Sequence, residues 1–191
     1  MTTHPIQLTV LYERLAKERL SSNSFRFEFS KYVYIPQAIS EKRDVFESPT
    51  GSVQEIFERE KNRLGANEEI AFHSRILGPG SILHIPFFDM GCAKIEPHLD
   101  NLREAFGDFG VNHFSVFHSG RSFHIYGHSL LDDEKTLIRF IGRLLLLNLP
   151  NQERVIDERW VGHRLMAGYL TLRWTNNNPH YKSTPTAYLE V

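Results

Sequence analysis

NHFSVFHSGRSFHIYGH, residues 112–128, decides how the second half of the chain folds. Two apolar runs flank Ser119 and Gly120, the composition of two strands joined by a tight turn. Successive side chains alternate across a strand, so Phe123 and Ile125 point one way while Ser122, His124 and Tyr126 point the other. If the apolar pair faces helices, His124 stands on the open face of the sheet. Within residues 118–128, three histidines, Arg121 and two serines are more polar than strand pairing needs.

The elements on either side extend the pattern. Upstream, SILHIPFFD (81–89) reads as a strand and EPHLDNLREAFGDFG (96–110) as a helix ending near glycine. On the strand, Ile85, Phe87 and Asp89 share a face, and Asp89 ends it. Downstream, DDEKTLIRFIGRLLLL (132–147) opens with acids suited to a helix N-terminus and continues with an apolar stripe. RVID (154–157) and YLTLRW (169–174) read as further strands. The series β-α-β-β-α-β is the split βαβ arrangement, an antiparallel sheet with helices on one face.

The first half is simpler. Residues 5–20 have the spacing of a helix. In SFRFEFSKYVYIP (24–36), Phe25, Phe27 and Phe29 alternate with Arg26 and Glu28, as in a half-buried strand. Residues 48–65 give a turn and a helix stopping at Gly65, and residues 68–91 give two strands meeting at Gly78-Pro79-Gly80. The expected fold is α/β of the α+β kind: one domain over 1–191, with an N-terminal αβ module (1–80) packed on a C-terminal RRM-like antiparallel sheet (81–191).

The totals set bounds on function. With 191 residues, 41% of them hydrophobic, the chain is long enough for a substantial core. Its net charge of -1 excludes a global basic field but permits a local cationic groove. A lone cysteine, Cys92, excludes an internal disulfide and fits a cytoplasmic location. Residues 1–20 lack a signal-peptide core, and LLLLNLP (144–150) is too short to cross a bilayer, so no membrane partner is expected.

Three stretches carry a resemblance to a family. FFDMG (87–91) resembles the first motif of archaeo-eukaryotic primases and primase-polymerases, an apolar strand ending in acid-x-acid. SGRSFHIYG (119–127) is similar to their second motif, Ser-x-(basic)-x-x-His on a strand. RVIDERWVGHRLMAGYLTLRW (154–174) resembles the third region, where an acid follows an apolar strand. The resemblance implies nucleotidyl transfer on a DNA or RNA template with nucleoside triphosphates, using Mg2+ or Mn2+ held by three carboxylates. It implies Asp89 and Asp157 as catalytic metal ligands, and Ser119, Arg121, His124 and Arg173 as nucleotide-binding residues, with Lys182 a weaker candidate. Where the family has the second acid of its first motif, this chain has Gly91, which has no side-chain donor. Glu96 is the nearby acid. The loss implies weaker metal binding and weakened or lost synthesis. A helicase or other replication or defence protein is the kind of partner such a domain would need.

Other readings stand beside this one. Asp157 also suits the N-cap of a helix over 159–166, and Ser119 and Gly120 suit an ordinary hairpin. His118, His124 and His128 raise a metal-dependent hydrolase or single-strand nicking enzyme, but HIYGH lacks the two histidines flanking one apolar residue that nicking enzymes of this type want. A catalytically inactive nucleic-acid- or protein-binding module on the RRM-like sheet is the remaining alternative.

Overall fold

The computed structural model describes residues 4–191. Pro5–Gln7 form a 3-10 turn capped by the His4 side chain, which accepts from the Ile6 N–H, and lead into α1 (Leu8–Leu20). Then follow β1 (Arg26–Val33), β2 (Asp44–Pro49), α2 (Val53–Lys61), β3 (Glu68–Gly78) and β4 (Ser81–His84). The second half contributes β5 (Phe87–Asp89), α3 (Leu99–Gly107), β6 (Phe114–His118), β7 (Phe123–Gly127), α4 (Glu134–Leu145), α5 (Glu158–Ala167), β8 (Thr171–Arg173) and β9 (Thr186–Glu190). Among the described residues the fold is mixed α/β, with two antiparallel sheets and five α-helices.

The first sheet runs β2-β1-β3-β4, with β8 also paired to β3, and the second runs β5-β7-β6-β9. The expected β-α-β-β-α order holds through β5, α3, β6, β7 and α4. RVID is not a full strand. It makes an isolated bridge, Met90 with Ile156, along the free edge of β5. YLTLRW is a strand, but β8 pairs with β3 in the first sheet. The outer edge of β6 is taken instead by β9, which the sequence pattern leaves unassigned. The strand expected over 81–89 is broken as well: β4 ends at His84, and β5 starts in the other sheet at Phe87. Pro86 explains the break, because proline lacks a ladder N–H and restricts the residue before it.

Aromatic side chains join the two sheets. The Trp174 indole stacks on Phe72 at 4.4 Å between ring centroids, Phe72 lies 6.0 Å from Phe87, and Phe87 lies 5.5 Å from Tyr126. On the opposite face of the second sheet, Phe106 of α3 packs against Phe88, Phe114 and Phe140. One continuous core therefore spans both halves. Each fully buried phenylalanine contributes roughly 1.5–3 kcal/mol. The face of β5 and β7 away from the helices is covered by the first sheet.

β1 is not half-buried. Phe27 and Phe29 lie in the aromatic core, while Glu28 and Ser30 are buried on the other face. There the His73 imidazole contacts the Glu28 carboxylate through Nδ1 and Ser30 Oγ through Nε2 at 2.8 Å. Arg43 donates to the same Ser30 oxygen at 2.9 Å and to Glu41, and Arg164 donates to Glu41 and Thr171. Buried charges persist only when paired and hydrogen-bonded. This network ties the connection between β1 and β2, residues 34–43, to β3 and α5. Glu28, His73 and Ser30 follow the order of a nucleophile relay, but all three are sealed in, and they work as a clamp.

Candidate functional site

Asp89 ends β5 directly opposite His124 of β7 in the ladder. Ladder partners share a face, and this one is turned toward the first sheet. His124 is only 3% exposed, so the open face expected for it is in fact covered. The Asp89 side chain retains 26% exposure, yet its Oδ1 is enclosed and lacks a hydrogen-bond partner among the described residues; so does His124 Nδ1. His124 Nε2 lies 3.8 Å from Asp89 Oδ1, too far for a hydrogen bond.

Their electrostatics follow from that enclosure. Burial, reinforced by the charge of Asp157 and opposed by Arg173, pushes the Asp89 carboxyl up to about 8. Burial and the nearby Arg173 guanidinium hold the His124 imidazole well below its ordinary value. At neutral pH the acid is protonated and the imidazole uncharged, so the two do not form an ion pair. Unpartnered buried polar atoms are uncommon in folded proteins, and here two of them stand on one face of the sheet.

Asp157 arrives from a different element. Its backbone N–H donates to the Asp89 carbonyl at 3.3 Å, and its Oδ1 accepts from the N–H groups of Arg159 and Trp160 at 2.9 and 3.1 Å. It is therefore the N-cap of α5. Oδ2 takes no hydrogen bond among the described residues, which leaves half of the carboxylate for other work.

The Ser119–Ser122 turn forms a third wall. The Ser119 N–H donates to the Ser122 carbonyl at 2.9 Å, and the two hydroxyls lie 3.1 Å apart. Gly120 has φ +112°, and a Cβ there would approach Ser183 N to 3.2 Å and Lys182 Cβ to 3.3 Å. Glycine thus permits both the turn and the close crossing of residues 182–183. Arg121 is exposed and donates to His180 Nε2 at 2.6 Å and to the His180 carbonyl at 3.1 Å. Arg173 is 5% exposed. It donates to the carbonyls of Ser119 (2.8 Å) and Thr175 and lies 3.9 Å from the Tyr181 ring centroid.

All six residues singled out in the sequence, Asp89, Asp157, Ser119, Arg121, His124 and Arg173, line one cavity of about 880 Å3. Lys182 lines it too. Lysine and arginine outnumber acids along its walls, so a chain of net charge -1 still presents a local site suited to a polyanion. Glu96 is not among the lining residues; it hydrogen-bonds the Tyr188 hydroxyl. Gly91 is in the lining, but a Cβ there would come 3.3 Å from the Arg154 carbonyl oxygen and 3.4 Å from the Ile156 carbonyl. The missing acid thus coincides with a backbone approach that a side chain would crowd. Among the described residues, no group of three or more His, Cys, Asp and Glu side chains is placed to hold a metal ion.

Sequence reasoning missed the first-sheet side of the site. Tyr32, Tyr34, Arg43 and His163 also line the cavity, as do His180 and Tyr181 from the segment after β8. Buried Glu69 fixes that segment, accepting from the N–H groups of Asn177 (2.7 Å) and Asn178 (2.6 Å) and from the Thr175 hydroxyl. The available signal was the density of tyrosine, histidine and arginine at residues 32–43 and 173–182.

The split βαβ sheet carries an acid on its edge strand β5, an imidazole on the adjacent β7 and a Ser-x-Arg turn between β6 and β7, in a primase-like nucleotidyltransferase fold. The archaeo-eukaryotic primase 1D-like (AEP-like) family matches residues 50–186, and the chain belongs to that family. Primase family members typically use divalent metals, and primase-likeness points to nucleotide and nucleic-acid binding. No curated protein and no solved structure gives a significant match. No helix of the described residues is long and apolar enough to cross a membrane.

Proposed function

We propose that the cavity binds a nucleoside triphosphate beside a nucleic-acid strand, and that template-directed synthesis there is weak. The observation that carries this reading is the pair of unpartnered buried atoms, Asp89 Oδ1 and His124 Nδ1, on the wall that also holds Asp157 and the Ser119–Ser122 turn. The whole chain acts as one unit, since both halves line the cavity.

The donor set fits one divalent ion. Mg2+ is commonly held by one or two carboxylates, together with waters and substrate phosphates. Asp89 and the free oxygen of Asp157 would hold it, and the ion would neutralise phosphate charge and draw the proton off Asp89. A second ion would need the carboxylate that Gly91 does not supply. Ser119 and Arg121 would bind phosphate oxygens, with Arg121 exchanging His180 for the ligand, and the neutral His124 would donate one hydrogen bond. Arg173, engaged by two carbonyls, would hold the turn in place and add positive charge. Partner proteins would supply strand opening and recruitment.

Titrating ATP with Mg2+ or Mn2+, beside a primer-synthesis and extension assay, tests the reading. Binding should weaken in Arg121→Ala and His124→Ala, and the residual incorporation should vanish in Asp89→Ala and Asp157→Ala. Robust templated synthesis by the unmodified protein would overturn the claim of weakness. Absence of triphosphate binding would overturn the site itself.

A further inference from the structure

At the mouth of the cavity, rings from both halves of the chain meet. Tyr34, from the connection between β1 and β2, stacks on His180 at 4.5 Å and 29°, and lies 5.5 Å from Tyr181. His180 and Tyr181 are edge to face at 5.3 Å. Behind them the Tyr181 ring carries the Arg173 guanidinium, and its hydroxyl meets that of Tyr32 at 3.4 Å. All three rings are half-buried, with part of each accessible at the mouth. Arg121 donates to His180 Nε2, so that nitrogen acts as an acceptor and the imidazole is neutral. The loops that carry the rings are fastened independently. The Arg159 guanidinium holds the Ala38 carbonyl at 2.9 Å, and Glu69 holds residues 175–178.

Three half-buried rings held beside Arg121 and Arg173 offer a flat surface to a planar partner, and stacking on such a surface is favourable in itself. We infer that Tyr34, His180 and Tyr181 form a shelf on which a nucleobase stacks, while its phosphates reach the turn at Ser119–Arg121. The inference rests on the triphosphate reading and adds to it a grip on the base. Tyr34 lies outside the segment that the family match covers, whereas His180 and Tyr181 lie within it. Stacking on an aromatic side chain tolerates any base, which suits a site that must accept several nucleotides.

Calorimetric titration in Mg2+ with ATP, inorganic tripolyphosphate and an eight-residue oligothymidylate, on the unmodified protein and on Tyr34→Ala and Tyr34→Phe, tests the shelf. Unmodified protein should bind ATP about tenfold more tightly than tripolyphosphate, within the range of base stacking. Tyr34→Ala should lose that gain and leave tripolyphosphate unchanged, and Tyr34→Phe should restore it. A loss confined to the oligothymidylate also supports the shelf and assigns it to a strand base instead of the incoming nucleotide. If Tyr34→Ala changes neither ligand, the shelf is refuted while the phosphate site stands. If tripolyphosphate fails to bind but a Tyr34-dependent base ligand does, the phosphate reading fails and the shelf survives; binding of no ligand overturns both.

Discussion

Replacing Asp89 by asparagine should stabilise the metal-free protein, and by an amount that depends on pH. The carboxyl titrates near 8 in the fold against an ordinary 3.8, so between these values the folded state holds a proton that the unfolded state has released. Stability therefore falls as pH rises through that window, with a slope of up to about 1.4 kcal/mol per pH unit. Integrated to pH 7 over roughly three units, the penalty is on the order of 4 kcal/mol, an upper figure because the side chain keeps 26% of its exposure. The asparagine amide carries no charge to desolvate. Even one quarter of that penalty, about 1 kcal/mol, would raise the melting temperature of a protein this size by roughly 2–4 °C. Thermal melts of both proteins in EDTA, from pH 4 to pH 8.5, read the effect directly. The two should nearly coincide at pH 4 and separate progressively above pH 5, with Asp89→Asn the more stable. A separation constant across the range, or a less stable Asp89→Asn at pH 8, would refute the reasoning.

The other expectations follow from the same geometry. Asp157→Ala removes an N-cap and should cost about 1 kcal/mol in denaturant unfolding, whereas Asp157→Asn keeps the cap and should cost little. Both should lower the Asp89 midpoint seen in the melts, because the Asp157 charge helps to raise it. Gly91→Asp should destabilise by roughly 1–3 kcal/mol, since its Cβ would press on the Arg154–Ile156 backbone, and should not restore primer extension. Burial holds His73 and His84 at about 4, so both stay neutral in the fold while their unfolded counterparts gain protons below 6.5. In an Asp89→Asn background, which lacks the opposing limb, stability should therefore fall as pH drops from 6.5 toward 4. An unchanging melt over that interval would contradict the assignment.

Much of this site was legible because local rules coincide with the fold there. Ser119, Gly120 and the alternation from Phe123 to Tyr126 specify a hairpin without tertiary help, and Asp89 ends a strand in which Phe87 and Phe88 both suit a buried sheet. What alternation does not carry is the identity of the layer above. The face bearing His124 was expected to be open, yet the first sheet covers it, and its covering residues lie far away in sequence, in β3 and β8. Glu28 and His73 look like surface residues in an alternating strand. Only their mutual contact, joined by Arg75 and Ser30, lets them be buried. Pro86 was the visible signal for the sheet switch, and it was outweighed by the apolar run around it. β8 shows a further limit: YLTLRW reads as a strand in either sheet, and pairing with β3 is decided by Trp174 stacking on Phe72.

A crystal structure with ATP and Mn2+ tests the central claim most directly, because the ion is located by its anomalous signal and the phosphates by their density. One Mn2+ between the carboxylates of Asp89 and Asp157, with the triphosphate against the Ser119–Arg121 turn, is the predicted result. A triphosphate seated outside this cavity, or one inside it with the ion remote from both acids, would contradict it.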